Sequence, residues 1–213
     1  MISEKSEEKK KEEPKEASKE AAQMILPSEL RMVGIYGEIE EASALHAIGF
    51  LIDYSETRLL MRKDEEDPES ELIEVTLPIE MMISTPGGGA DDMFAIYDIM
   101  RVVREKCDII TYGIGKVMSA GVLLLAAGTK GQRKIGKHCR VMIHSVVAGS
   151  AGSFHTLENE MSEIRNTQET YFKALAKETK MTPSKIKKLV GQKVNVYLSA
   201  EEAVELGIAD IIV

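Results

Sequence analysis

The sequence predicts an α/β fold in which helices alternate with the strands of a mostly parallel sheet. Two observations carry this prediction: apolar, β-branched runs of strand length recur along the chain, and segments with the 3.6-residue apolar period of helices separate them. Strands that alternate with helices build βαβ units, whose connected strands run parallel. A chain of 213 residues is long enough to bury a core of ordinary domain size.

Periodicity and capping signals predict six helices. They span residues 40–54, 91–105, 119–127, 157–180, a segment that begins at Thr182-Pro183, and 199–207. Threonine before proline favours a helix start, because threonine caps the first turn and proline fits its first position. Ser199 and Glu202 have the spacing of a capping box. The second helix has the clearest apolar face, which consists of Met93, Ile96, Tyr97, Met100 and Val103.

Strands are predicted where apolar runs are short and bounded by turn residues. They cover residues 31–36, 72–77, 79–84, 108–114, short strands around Gly136 that end at 141–143, and 208–213. Gly37 is predicted to turn the chain after the first strand, and Pro78 to divide the second from the third. A charged loop is predicted over residues 62–71.

Residues 1–26 are predicted to form a charged, disordered tail, and residues 27–213 a single domain. The first 22 residues contain seven glutamates and six lysines with almost no large apolar side chain. Such a segment buries too little surface to offset the entropy of ordering.

Composition excludes several classes of protein. A net charge of −8 disfavours non-specific nucleic-acid binding, which needs a basic surface. Two cysteines are too few for a disulfide scaffold, and they favour a reducing compartment. No apolar run approaches the ~20 residues of a membrane span, and the first residues lack the pattern of a signal peptide. We therefore expect a cytoplasmic protein that binds neither nucleic acid nor membranes.

Two glycine-containing loops follow predicted strands and precede predicted helices, at residues 85–89 and 115–121. Ligand sites of parallel sheets lie at the carboxyl ends of strands, and one amide from each loop would together hold an oxyanion. Three simpler interpretations stay open at this point. In the first, the loop at 85–89 holds a phosphate, although it lacks both glycine-rich phosphate motifs. In the second, that loop is a plain turn. In the third, Ser119 is only a helix N-cap.

His144 is the histidine best placed for chemistry. It ends an apolar strand, where a general base would face a cleft. His46 lies on the first helix, His155 lies in a loop of small residues, and His138 lacks the spacing of a metal site. No metal or cofactor is expected.

Five motifs, in order and at matching spacing, resemble the ClpP family of serine peptidases, the proteolytic subunits of the ATP-dependent Clp protease. They are STPGG at 84–88, AIYD at 95–98, SAG at 119–121 with the apolar run to Gly128, RVMIH at 140–144 and SAEEA at 199–203. The resemblance covers the chain from about residue 31 to 213 and leaves out the charged tail. It implies a crotonase-like fold of repeated ββα-type units, with a protruding handle helix at 157–180.

The resemblance also implies hydrolysis of peptide bonds in unfolded polypeptides, inside stacked heptameric rings. An AAA+ unfoldase would feed the polypeptide into these rings. It assigns Ser119 as the nucleophile and His144 as the base, with the amides of Gly88 and Ala120 as the oxyanion hole. Gly149 takes a position where substrate pairs as an added strand. No cofactor is implied.

The chain departs from the family at the third member of the triad. The family's aspartate stands four residues before the serine of SAEEA, and that position is Asn195 here. Asparagine can orient an imidazole through its side-chain oxygen, as in Cys-His-Asn sites, but it does not stabilise an imidazolium as a carboxylate does. We therefore expect slower acylation, or dependence on assembly to set the geometry.

Three competing functions follow from the same residues. An inactive ClpP-like scaffold subunit would explain Asn195. An acyl-CoA enzyme of the crotonase type would share the fold and the oxyanion hole, although it explains Ser119 and His144 poorly. A Ser-Lys peptidase would use Lys116 or Lys130 as its base.

Overall fold

The computed structural model describes residues 30–63, 71–192 and 195–213, which form six helices and nine strands. The helices are α1 (Glu41–Glu56), α2 (Ala90–Val103), α3 (Ala120–Ala126), α4 (Phe154–Glu178), α5 (Pro183–Gln192) and α6 (Ala200–Glu205). The strands are β1 (Met32–Ile39), β2 (Leu59–Arg62), β3 (Ile73–Thr76), β4 (Ile79–Gly88), β5 (Ile109–Met118), β6 (Lys134–Ile135), β7 (Arg140–His144), β8 (Asn195–Leu198) and β9 (Ile211–Ile212).

Two of the predicted segments fall outside these ranges. The tail at 1–26 and most of the charged loop at 62–71 lie outside the described residues. The division into a tail and one domain therefore stays a prediction. None of the helices within the described ranges is both long and apolar enough to cross a bilayer.

Seven strands of the described chain form one main sheet. Its order is β1-β4-β5-β6-β9, with β7 paired to β5 and β8 paired to β7. Its pairings are parallel except for the antiparallel pair of β7 and β8. The predicted α/β class with a mostly parallel sheet is confirmed.

Strand β5 pairs with β4 on one side and with two different strands, β6 and β7, on the other. Its middle pairs with β6 through Tyr112 and Gly113, and its end, residues 116–118, pairs with β7. Gly115 lies between the two pairings with φ of +64°, a left-handed conformation that glycine adopts without steric cost. The predicted strand ended at residue 114, because the apolar run stops there, whereas β5 continues to Met118 and so reaches the second glycine loop.

The helix at α1 was predicted, but its buried face consists mostly of small side chains, and some of its large apolar side chains face outward. Leu45 and Ile52 are exposed, whereas the buried positions are Ala44, Ala47, Leu51 and Ser55. The helix packs on β1 and α2. Small side chains at the contact let the helix approach its neighbours closely, and this leaves larger apolar side chains on its outer surface.

The first strand is longer than predicted. Gly37 does not end it but lies within β1, at an irregularity in its pairing with β4 between Tyr36 and Glu38. Its φ of +77° identifies the glycine as the residue that permits a bulge.

Two strands were not predicted. The side chains of β2, which pairs with β3 in a separate antiparallel sheet, are mostly exposed and show no alternation. Strand β8 does alternate between exposed and buried positions, but over only four residues.

The core lies between the main sheet and the helices packed on it. All seven residues of α3 are buried. The predicted apolar face of α2 is confirmed, since all five of its residues are buried. Each large aliphatic side chain removed from water contributes about 1.5–3 kcal/mol. Burial therefore holds α2 and α3, the helices that follow the two glycine loops, firmly in the core.

Buried polar groups attach the C-terminal end of α4 to this core. The Glu178 carboxylate, 3% exposed, accepts hydrogen bonds from the Tyr97 hydroxyl at 2.9 Å and from two nitrogens of Arg104 at 2.9 and 3.1 Å. Arg133, also buried, pairs with Asp210 and donates to the Glu178 carbonyl oxygen at 2.7 Å. Buried charges are retained only when partnered in this way.

Replacing Glu178 with glutamine tests the weight of this cluster. Burial alone would raise the pKa of Glu178, but the bonds from Arg104 and Tyr97 outweigh it and lower the pKa. The stabilisation is therefore complete above the unfolded-state pKa and is lost as pH falls through the folded-state pKa. We expect E178Q to cost about 3 kcal/mol of unfolding free energy at pH 7 and less at pH 3, which lies below the unfolded-state pKa of about 4.3, measured by urea unfolding at fixed protein concentration.

The exposed ion pair between Glu56 and Lys106 provides the control. E56Q should change stability little at either pH, because surface pairs are screened by solvent. An E178Q penalty that is the same at both pH values would contradict the assigned role of the carboxylate.

Candidate functional site

Ser119 occupies the junction between β5 and α3 in a strained conformation. Its φ of 53° is positive, and among the described residues it is the one non-glycine residue with this property. Such a backbone conformation costs about 1–3 kcal/mol and concentrates at functional sites. The Ser119 side chain makes no capping hydrogen bond to α3. The N-cap interpretation therefore does not account for the hydroxyl.

Three hydrogen bonds hold the backbone of Ser119. Its amide donates to the Met142 carbonyl oxygen of β7 at 2.8 Å. Its own carbonyl oxygen accepts from the Val122 amide at 3.0 Å and from the Tyr171 hydroxyl of α4 at 3.1 Å. Elements on two sides, β7 and α4, thus attach to the same residue.

His144 comes to Ser119 through strand pairing. Strands β5 and β7 run parallel with Met118 opposite Met142, so the residues that follow both positions emerge at the same edge of the sheet. His144 is half-buried. Burial lowers its imidazole pKa below the ordinary value of about 6.5, because desolvation disfavours the charged form. The ring is therefore mostly neutral at pH 7 and able to accept a proton.

Ser119 and His144 line one cleft, with a volume of about 360 Å³. Its walls come from the first glycine loop, the start of α2, the start of α3, the segment after β7, and α4. The lining residues are Pro86, Gly88, Gly89, Ala90, Met93, Ser119, Ala120, His144, Ser145, Val146, Val147, Thr167 and Tyr171.

The first glycine loop is strand rather than a plain turn. Strand β4 continues through it to Gly88, which pairs with Ile39 of β1. A Cβ at Gly88 would lie 2.0 Å from the Ile39 carbonyl oxygen, and a Cβ at Gly87 would lie 2.6 Å from the Ser119 Cβ. Both contacts are far too short, so glycine is required for the loop to pass between β1 and the serine.

The two residues predicted to donate oxyanion amides meet at this cleft. Gly88 and Ala120 both line it. Ala120 is the first residue of α3, and the amides of a helix's first turn have no acceptor within the helix. The positive end of the helix dipole adds to the attraction for a negative oxygen.

Asn195 lies directly opposite His144 in the antiparallel pair of β8 and β7. Opposed residues of an antiparallel pair project from the same face, with Cβ atoms about 4.5–5.5 Å apart. The structure thus brings the Asn195 side chain beside the imidazole, and the asparagine is exposed. Burial alone lowers the pKa of His144, and no carboxylate contributes to the shift.

The remaining predicted residue lies elsewhere. Gly149 is exposed, in the coil between β7 and α4, and is outside the lining of the cleft. Lys116 is also exposed and outside the lining, and Lys130 donates to the Lys177 carbonyl oxygen. A lysine base for Ser119 has no support in this geometry.

The sequence analysis did not identify the residues that α4 contributes to the cleft. Tyr171 and Thr167 lie four positions apart on α4, one helical turn, and both face the cleft. The amphipathic period of this helix was visible in the sequence. The period shows that one face packs inward, but not which element that face meets.

Comparison with known proteins gives matches to Clp proteases. The model of the Clp protease family matches residues 69–213. A curated relative from Prochlorococcus marinus (strain NATL2A), described as ATP-dependent Clp protease proteolytic subunit 2, is 40% identical over 134 residues. That match covers 62% of this chain, and the chain spans about 65% of the length of the relative.

Proposed function

This chain belongs to the Clp protease family, and from that premise we propose that it is a serine endopeptidase acting on unfolded polypeptides. The observation that carries the proposal is the pair of Ser119 and His144 in one cleft, with Ser119 strained at a strand–helix junction. A serine hydroxyl is a weak nucleophile at neutral pH and needs an adjacent base. The half-buried imidazole supplies that base in its neutral form.

In the proposed reaction, the Ser119 hydroxyl attacks the carbonyl carbon of the scissile peptide bond while His144 accepts the hydroxyl proton. The carbonyl oxygen becomes negative in the tetrahedral intermediate, and the amides of Gly88 and Ala120 donate to it. His144 then gives its proton to the leaving amine. Water repeats the sequence on the acyl-enzyme and releases the second product.

Asn195 is the proposed third member of the triad. Its side-chain oxygen is suited to accept from the imidazole N–H on the side away from Ser119, which would select the tautomer that can act as base. A neutral amide does not offset the positive charge that His144 acquires during acylation. We therefore expect a functional triad that acylates more slowly than one with aspartate.

Replacing Ser119 with alanine tests the nucleophile. We expect peptide hydrolysis to fall by at least about 10³-fold, and a fluorophosphonate probe to label the wild-type protein at Ser119 and leave S119A unlabelled. Ser145→Ala is the matched control, because Ser145 lines the same cleft but lies after β7. It should keep labelling and activity. Labelling that spares Ser119 in assembled, folded protein would contradict the proposal.

Replacing Asn195 with aspartate tests the third position. The acid limb of kcat/KM for the wild-type enzyme should have its midpoint below pH 6.5, since burial lowers the pKa of His144. A carboxylate beside the imidazole favours its protonated form, so N195D should move the midpoint to higher pH. The same carboxylate stabilises the imidazolium of the transition state, and we expect the rate at pH 8 to rise about tenfold.

Asn166→Asp, an equal change of charge at an exposed position on α4, should alter neither quantity. A sharp fall in the N195D rate would show that the asparagine is required rather than tolerated.

We further propose that the protein works in the cytoplasm as stacked heptameric rings, fed by an AAA+ unfoldase, with Gly149 beside the bound substrate strand. Exposed apolar side chains support an assembled state: Phe154, Leu157 and Met161 are 70%, 41% and 50% exposed on the N-terminal half of α4. Positions three and four apart share a helix face. Such a stripe is typical of an interface between chains.

The mass of the particle in solution tests the assembly. Native mass spectrometry should give seven or fourteen chains of 23.5 kDa. Met161→Glu should separate fourteen chains into rings of seven, because a charge would be buried in the interface between α4 helices. A wild-type monomer at micromolar concentration would contradict the ring.

One alternative has an observation in its favour. Asn195 in place of an aspartate is compatible with an inactive scaffold subunit of the same family. Wild-type protein that assembles, but hydrolyses peptides no faster than S119A, would establish that alternative.

A further inference from the structure

The hydroxyl of Tyr171 makes an unusual contact for a side chain on α4. It donates to the carbonyl oxygen of Ser119 at 3.1 Å, across 52 positions of sequence. The residue is 6% exposed. Burial raises its pKa, so the phenol keeps its proton and remains a donor throughout the working range of the protein.

The acceptor of this bond belongs to the same peptide group as the amide of Ala120. A trans peptide is planar, and its C=O and N–H point in opposite directions. Any rotation of the peptide between residues 119 and 120 moves both groups together. A hydrogen bond that fixes the Ser119 carbonyl therefore also fixes the direction of the Ala120 N–H.

We propose that Tyr171 is a positioning residue that orients the Ala120 amide toward the oxyanion. This inference rests on the proposed function, in which that amide stabilises the tetrahedral intermediate. Tyr171 acts through the peptide group. Donation to the Ser119 carbonyl also polarises the peptide and strengthens its N–H as a donor.

The peptide needs a hold from outside its own helix. Ser119 has a strained φ of 53°, and its carbonyl otherwise accepts from the Val122 amide, a donor that moves with α3. Tyr171 belongs to α4, which is anchored two turns further along by the two hydrogen bonds that Arg104 donates to Glu178. Through the hydrogen bond from Tyr171, an anchored helix separate from α3 thus fixes the orientation of the Ala120 amide.

Replacing Tyr171 with phenylalanine removes the hydroxyl and keeps the ring. We expect kcat to fall roughly 10- to 100-fold, within the effect of losing one oxyanion donor, while KM stays within about twofold. The rate constant for fluorophosphonate labelling of Ser119 should fall in parallel, because phosphonylation also places negative charge on an oxygen. The acid limb of the pH profile should not move, since the His144 environment is unchanged.

Tyr97→Phe is the matched control. Tyr97 is 4% exposed, and its hydroxyl also makes one buried hydrogen bond, to Glu178 at 2.9 Å. Y97F should lower the unfolding temperature without changing kcat more than about twofold. Equal effects of the two variants on kcat, or a Y171F enzyme as fast as wild type, would overturn the proposal.

A second measurement covers the case in which Y171F does not fold. 3-Fluorotyrosine at position 171 keeps ring and hydroxyl but makes the phenol a stronger donor, so kcat should rise at unchanged KM. An unchanged kcat would overturn the proposal.

The S119A variant distinguishes failure of the proposed function from failure of this inference. If wild-type hydrolysis does not depend on Ser119, the proposed function is wrong. If hydrolysis depends on Ser119 but not on Tyr171, only this inference is wrong.

Discussion

The parallel pairing of β5 with β7 is the constraint on which the rest of the site depends. It places Met118 opposite Met142, so the chain leaves both strands at one edge and presents Ser119 and His144 to the same cleft. The hydrogen bond that the Ser119 amide donates to the Met142 carbonyl oxygen continues that pairing past the end of β5. The change of partner at Gly115 makes this possible, because a β5 that stayed on β6 would carry Ser119 away from His144.

The features that were predictable from sequence are those encoded within a few residues. The inward face of α2, the Ser199 capping box and the Thr182-Pro183 helix start all depend on local spacing, and the structure contains each of them. The contact of Tyr171 with Ser119 spans 52 positions, and the φ of Ser119 belongs to a junction held by β7 and α4, so periodicity reveals neither. Strand β8 falls between these cases: its alternation is local, but its placement of Asn195 opposite His144 is a matter of tertiary pairing.

The electrostatics of the site differ from those of a serine triad with a carboxylate. Burial, with no opposing negative charge, determines the pKa of His144. The imidazole is thus readily neutral, which favours its role as base, while the imidazolium that forms during the reaction receives less stabilisation. In the proposed reaction, transition-state stabilisation then depends more on the oxyanion, to which the amides of the cleft-lining residues Gly88 and Ala120 are proposed to donate. The rate of the proposed reaction consequently depends more on the geometry of those two amides than it would in a site with an aspartate.

Helix α4 is about 37 Å long at 1.5 Å per residue, and its buried residues, Tyr171, Phe172, Leu175 and Glu178, all belong to its last third. The helix is thus anchored at its C-terminal end, while most of its N-terminal part is exposed. Tyr171 is the first buried residue of the helix, where its exposed part meets its buried end. The exposed start of α4 at Phe154 and the residue that donates to the Ser119 carbonyl oxygen therefore belong to one continuous helix, so the surface of the molecule and its cleft share a single structural element.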